Sequence, residues 1–180
     1  MVARPPLRVS IAPMTVRDLD EVQAVERASF AVPWPAYALR QEIETNRLAR
    51  YLVVRAGEQV VGYAGVWLMA DEAHVTTFAV LPEWRRRGLG GRLMVAVMRL
   101  AEEVGARVVT LEVRLSNVAA QRLYQRFGLR PVGVRPRYYS DNNEDALIMT
   151  SPPIDEPEMR ERIALLARRY EASPLEEVLE

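Results

Sequence analysis

The stretch Arg85-Arg86-Arg87-Gly88-Leu89-Gly90-Gly91 combines three forked cations with three glycines. It lies between an apolar strand-like run, Thr77-Phe78-Ala79-Val80, and a helical run beginning at Arg92. A glycine-rich turn that opens a helix presents unpaired N–H groups at the positive end of the helix dipole, which is an anion site. Glycine lets the main chain approach the anion, and arginine adds charge-assisted donors. The chemistry indicated is phosphate binding, and the plain alternative is an ordinary turn with solvated arginines. The turn is not a Walker loop, because no Lys-Ser/Thr follows the glycines, nor does its spacing give the G-x-G-x-x-G dinucleotide fingerprint.

Other candidate residues stand further along. Glu112 sits on an apolar strand, Val108 to Val113, sharing one face with Val108 and Thr110 while Val109, Leu111 and Val113 take the other. A carboxylate there is costly unless paired. It reads either as a general base or as a strand-end partner of Arg114 or a nearby N–H. Tyr124 falls on the helical stripe Ala120, Leu123, Tyr124 and Phe127. Periodicity favours core packing for its ring, while its hydroxyl remains a proton donor. Asn117 precedes that helix as an N-cap.

His74 is the single histidine and precedes a strand without acidic residues at ligand spacing, so it reads as a surface or strand-edge residue and no metal site is expected. There is no cysteine, which excludes disulfides, thiolate zinc sites and a Cys acyl-enzyme. All 24 basic residues are arginine, so lysine Schiff-base chemistry is excluded as well.

These residues need a scaffold, and 180 residues with 49% hydrophobic and 27% charged content suffice for one folded domain. No stretch is long enough for a membrane span, and Met1 to Pro6 lack the apolar core of a secretory signal, so a cytoplasmic protein is expected. A formal net charge of zero argues against a general nucleic-acid binder. Monomer and weak homo-oligomer both remain open.

Thr15-Val16-Arg17-Asp18 predicts a capped helix start, followed by Leu19, Val22, Val25 and Ala28 at helical spacing. Phe30 to Pro35 breaks that helix, and a second covers Ala36 to Thr45. Tyr51–Val54 and Val60–Leu68 read as a hairpin across Ala56-Gly57-Glu58-Gln59, and Val75–Val80 as a further strand. The helix after the glycines carries Leu89, Leu93, Ala96, Val97, Leu100 and Val104, and ends at Gly105. Strand Val108–Val113, a helix ending at Gly128, and strands near Val132–Val134 and Ala146–Met149 follow. The order predicts an α+β protein with α/β-type layers, a mixed sheet flanked by helices. Residues 1–150 form the body. After a linker at Ser151-Pro152-Pro153, residues 151–180 form an extension with an amphipathic helix bearing Met159, Ile163, Leu166 and Tyr170.

The run from Thr77 to Met149 resembles the GCN5-related N-acetyltransferase (GNAT) superfamily. Within it the resemblance is to the RimI-like branch, which acetylates protein N-termini and includes the ribosomal-protein alanine acetyltransferases. The matching pieces are Phe78-Ala79-Val80-Leu81-Pro82, Arg85 to Gly90, Leu111 to Asn117, Leu123 to Gly128, and Arg137-Tyr138-Tyr139 with Glu144-Asp145-Ala146. Phe30 to Trp34 resembles the branch's turn after the first helix. The match spans roughly Val9 to Thr150, and the tail from Ser151 departs from it.

The resemblance implies the GNAT fold and acetyl-CoA as donor. Phe78, Ala79 and Val80 match the strand that pairs with the pantetheine arm. Arg85, Arg86, Arg87, Gly88, Leu89, Gly90 and Gly91 match the pyrophosphate loop, and Asn117 a cofactor contact. Glu112 matches the general base and Tyr124 the general acid, while Trp34, Tyr138 and Tyr139 flank the acceptor. The acceptor implied is a protein N-terminus, with a ribosomal protein beginning in Ala as the family-based expectation and no direct nucleic-acid binding. A small-molecule amine, a lysine side chain and a non-catalytic CoA-binding module are the alternatives.

Overall fold

The computed structural model describes residues 7–172. The chain's first six residues, read above for a secretory signal, and the end of the extension, 173–180, lie outside the described residues. Thr15 and Asp18 cap each other at the first helical turn. The Thr15 N–H donates to Asp18 Oδ2 at 2.8 Å and the hydroxyl at 3.1 Å, as the Thr-x-x-acid spacing requires. A 3-10 turn at Val16–Asp18 leads into α1, Leu19–Ser29, and α2 covers Ala36–Thr45. On α1, Leu19, Val22 and Val25 are buried as their spacing implied, but Ala28 is exposed. Gln23 and Glu26 turn inward instead.

Seven strands form one sheet in the order β1-β2-β3-β4-β5-β7-β6. They are β1 Val9–Pro13, β2 Ala49–Ala56, β3 Gln59–Met69, β4 Glu72–Val80, β5 Val108–Arg114, β6 Arg130–Tyr139 and β7 Glu144–Thr150. All pairs are antiparallel except β4–β5. β1 has no counterpart in the sequence reading, because it is a short edge strand with three of its five residues exposed and no clear alternation.

α3, Leu89–Glu103, begins three residues earlier than Arg92, so Gly90 and Gly91 belong to its first turn. Its buried surface is also broader than one stripe. Met94, Val95, Met98 and Ala101 are buried beside Leu89, Leu93 and Val97, whereas Val104 is exposed. The reason is that α3 is covered twice, by the sheet and by α5, Pro157–Ala172. The segment before α5 runs hydrogen-bonded along β5. Ser151 N–H donates to Val109 O at 2.9 Å, and Ile154 N–H to Arg107 O at 2.8 Å.

Side-chain alternation assigns the two faces. Thr77 meets Tyr63, whose hydroxyl also donates to Glu26 of α1. The next residue, Phe78, lies near Gly90 of α3. α1 and α3 therefore cover opposite faces. Trp67 donates to Glu42 of α2 at 2.6 Å and pairs across the ladder with His74, so His74 and its neighbour Glu112 lie on the α1–α2 face.

Candidate active site

β4 and β5 pair only from Glu72↔Val108 to Val75↔Leu111. Beyond that point β5 continues against β7 and β4 continues against β3, so the two strands part. The Leu81 N–H donates to Val61 O at 2.8 Å. By alternation Ala79 also faces β3, while Phe78 and Val80 direct their N–H groups into the opening. A V-shaped gap with two main-chain donors on one wall results, and an extended amide-bearing chain can pair there as an added strand would.

The glycine turn lies at the mouth of this gap. Gly88 is the N-cap of α3 with φ +78°, and it has no side chain with which to cap the helix. The amides of Leu89, Gly90 and Gly91 thus have no acceptor within the helix. Arg86 also adopts a positive φ, +64°, which curls the preceding main chain. A Cβ at Gly90 would meet Leu123 Cδ2 at 3.3 Å. These bare donors, at the positive end of a 15-residue helix, fit the diphosphate of a CoA thioester. The arginines divide their duties. Arg85 Nε donates to Val80 O at 2.9 Å and closes the turn. Arg87 lies over the Trp84 ring, 4.9 Å from its centroid. Leu89 is buried, so only its main chain faces outward.

Tyr124 projects from α4, Val118–Arg126, and meets Phe78 edge-to-face at 5.8 Å between centroids. Burial pushes its pKa up, so the hydroxyl stays protonated and able to donate. Core packing and a place beside the gap thus hold together for this ring. Asn117 caps α4, accepting from Ala120 N–H at 3.2 Å.

Glu112 does not pair with Arg114. Its Oε2 meets His74 Nε2 at 2.6 Å, and its Oε1 meets Arg135 Nε at 2.9 Å. The His74 hydrogen bond is the chief cause that holds its carboxyl below the usual range, against the opposing effect of burial. The carboxyl is therefore an anion at neutral pH, aimed by two partners. The reading of His74 as a plain strand-edge residue is corrected here. It lies 38 residues from Glu112 in sequence and reaches it only because β4 and β5 are parallel in this register. Arg135 went equally unseen, since nothing local marks an arginine on an irregular edge strand.

Arg114 instead organises the other rim. It donates to Asp141 at 3.0 Å and to Glu144 at 3.1 Å, and lies 3.9 Å over the Tyr139 ring. Tyr138 and Tyr139 are the last residues of β6. Between Arg135↔Ala146 and Tyr139↔Glu144 that strand carries extra residues, with Arg137 at φ +49°. Such a bulge re-aims side chains. The two rings meet edge-to-face at 5.1 Å, and both feel the charge of Glu112. Tyr139 also interacts with Tyr124. Burial, the main cause, pushes Tyr139 up to about 12. Tyr138 and Tyr139 thus lie close to Glu112, and Tyr139 stands between that carboxylate and Tyr124 in the chain of interactions. Trp34 is held by α1, its main-chain N–H donating to Glu26 at 2.8 Å and its carbonyl accepting from Gln23 at 2.7 Å.

Residues 19–129 match the acetyltransferase (GNAT) family model. The chain belongs to the GNAT acetyltransferase family. A Bacillus subtilis (strain 168) relative is 41% identical over 142 residues, 79% of this chain and 94% of its own, and is provisionally named a ribosomal protein bS18-alanine N-acetyltransferase. The Escherichia coli (strain K12) ribosomal protein bS18-alanine N-acetyltransferase is 31% identical over 147 residues, covering 79% and 97%. The crystal structure of the ribosomal-protein-S18-alanine N-acetyltransferase from Escherichia coli superposes with a TM-score of 0.74 at 28% identity, covering 81% of this chain and 94% of that one.

As a GNAT enzyme the protein is an N-acetyltransferase whose donor is acetyl-CoA. The parted strands and the start of α3 present two kinds of main-chain donor, amides along a strand edge and amides at a helix start. Among the described residues no group of three His, Asp or Glu side chains is placed to hold a metal ion, and no helix is long and apolar enough to cross a membrane.

Proposed function

We propose that this GNAT enzyme acetylates the N-terminal α-amine of a protein, with a ribosomal protein beginning in alanine as acceptor. The observation that carries the reading is a carboxylate, Glu112, fixed on both oxygens beside a tyrosine-walled opening that adjoins the parted strands. The names of the Bacillus subtilis and Escherichia coli relatives support the acceptor class. A ribosomal acceptor puts the reaction in the cytoplasm, and residues 1–150 are the catalytic unit with 151–180 appended.

Bound acetyl-CoA supplies a thioester carbonyl and a thiolate leaving group. The turn from Arg86 to Gly91 holds the diphosphate, with Arg85 locking the turn. Val80 pairs with the pantetheine arm, Phe78 faces its thioester end, and Ala79 keeps that strand in register through β3. Asn117 contacts the cofactor beside its capping bond. About one α-amine in ten is neutral at pH 7, against less than about one lysine amine in a thousand, so an N-terminal acceptor asks little of the base. Glu112 accepts the proton that the nitrogen sheds on attack, directly or through a water. The Phe78 N–H, deeper in the gap than Val80 and farther from the diphosphate turn, donates to the carbonyl oxygen as charge gathers there, a contribution of about 3 kcal/mol for one such donor. The Tyr124 hydroxyl returns a proton to the departing sulfur. Tyr138, Tyr139 and Trp34 line the acceptor path.

A thiol-release assay with short peptides tests this. Turnover on peptides beginning with Ala, yielding N-acetyl peptide and free CoA, is expected. Turnover only on polyamines, aminoglycosides or internal lysines would reassign the acceptor.

A further inference from the structure

Helix α5 ends against the donor site. The Tyr170 ring occupies the space where a Cβ on Gly91 would stand, and it lies 3.7 Å from the corresponding position at Gly88. The ring stacks on Phe127 with 6.2 Å between centroids and 7° between planes. Its hydroxyl accepts from Arg126 Nη1 at 3.4 Å. The helix that delivers it is anchored along its length. Met159, Ile163, Leu166 and Ala167 are buried, Arg160 pairs with Glu102 at 3.1 Å, and Glu171 pairs with Arg99. Ser151 and Ile154 tie the preceding segment to β5.

The turn that receives this ring is intrinsically weak. Two successive glycines give the first turn of this helix a lower helix propensity than alanines would. A first turn also lacks the hydrogen bonds that hold later ones. Left to itself, such a turn frays, and an anion that binds it must bear the entropy of ordering it. A flat ring seated in the space that the glycines leave open removes that freedom beforehand.

We infer that Tyr170 is a positioning residue for acetyl-CoA, with helix α5 acting as a built-in brace that preorganises the Gly88–Gly91 turn. The inference rests on assigning that turn to the diphosphate. It gives the C-terminal extension a part in donor affinity, and it explains Gly91 by the ring that displaces its side chain rather than by its backbone angle.

The test is calorimetry with acetyl-CoA on the full chain, with steady-state kinetics alongside. Tyr170→Ala should weaken donor binding about tenfold and raise KM for acetyl-CoA to match. kcat at saturating donor and KM for the peptide should stay within about twofold, and Tyr170→Phe should restore affinity. Gly91→Ala should weaken binding while Tyr170 is present, and much less in the Tyr170→Ala background, where the methyl has room. If Tyr170→Ala fails to fold, Tyr170→Leu serves, since it keeps contact with Phe127 but lacks the flat ring. Unchanged donor affinity in these variants, alongside weakened affinity in Gly88→Ala, would overturn the brace alone. Unchanged affinity in Gly88→Ala as well would overturn the diphosphate assignment beneath it. A fall in kcat with donor affinity intact would also overturn the brace.

Discussion

The two halves of the sheet are built for different work. On the β4–α3 side the groups proposed to bind the donor are main-chain amides, and side chains mostly stay out of the way. Gly88 caps without a side chain, and Phe78 and Val80 offer their N–H groups where the strands part. On the β5–β7–β6 side the working groups are side chains drawn from distant segments, as in His74–Glu112–Arg135 and the tyrosine pair on the bulged end of β6. A main-chain site answers to backbone conformation and is insensitive to most substitutions. A side-chain site answers to single atoms. The first should therefore govern donor affinity and the second the rate of transfer.

The largest effect is expected from Glu112→Gln. It keeps the shape but removes the proton acceptor, and it leaves Arg135 facing a neutral amide. kcat should fall about a hundredfold or more, the usual scale for a general base, with acetyl-CoA affinity unchanged by calorimetry. A matching loss of donor affinity would erase the division between halves. Tyr124→Phe should cost less, about ten- to a hundredfold in kcat. The leaving thiolate, with an ordinary thiol pKa near 8.5, can also take its proton from water. The ring contact with Phe78 survives, so the thermal midpoint should hold.

His74→Ala sharpens the comparison through pH. The His74 hydrogen bond is the chief cause that lowers the Glu112 pKa, so its loss lets that pKa rise. The limb of the kcat profile that reports Glu112 protonation should then move to higher pH, with little change on the plateau. A rate profile that keeps its acid limb in place would show that the pair is structural only. The smallest effect concerns the rim. Hydrogen bonds from Ser116 hold Glu144 down at about 2, with Arg114 assisting. A depressed carboxyl stabilises the fold above its unfolded pKa, near 4.3, and that contribution fades as pH falls toward 2. Glu144→Gln should therefore flatten the dependence of Tm on pH between about 4.3 and 2, leaving acetyl-CoA affinity untouched.

The same contrast governs how much could be read from the sequence. The β4–α3 side was legible because its elements are local: a strand, a glycine turn and a helix follow each other between Glu72 and Glu103, and glycine itself reports backbone need. Even there the helix start was misplaced, since Gly90 and Gly91 look like turn residues until Leu123 is seen against the first and Tyr170 against the second. The side-chain half was legible only in part. Glu112 stood out as a charge in an apolar strand. Its partners did not, because His74 reaches it through a parallel register and Arg135 through a bulged edge strand, and neither leaves a periodic trace. Glu26 and Gln23 were hidden for the same reason. They face inward on α1 to hold Trp34, a contact that helical spacing alone does not reveal.

The most direct measurement is the dissociation constant of acetyl-CoA for Gly88→Ala beside that for Glu112→Gln. A side chain at φ +78° costs about 1–2 kcal/mol or moves the turn. Binding should be about tenfold weaker in Gly88→Ala and unchanged in Glu112→Gln. Wild-type affinity in Gly88→Ala would contradict a diphosphate site at this turn.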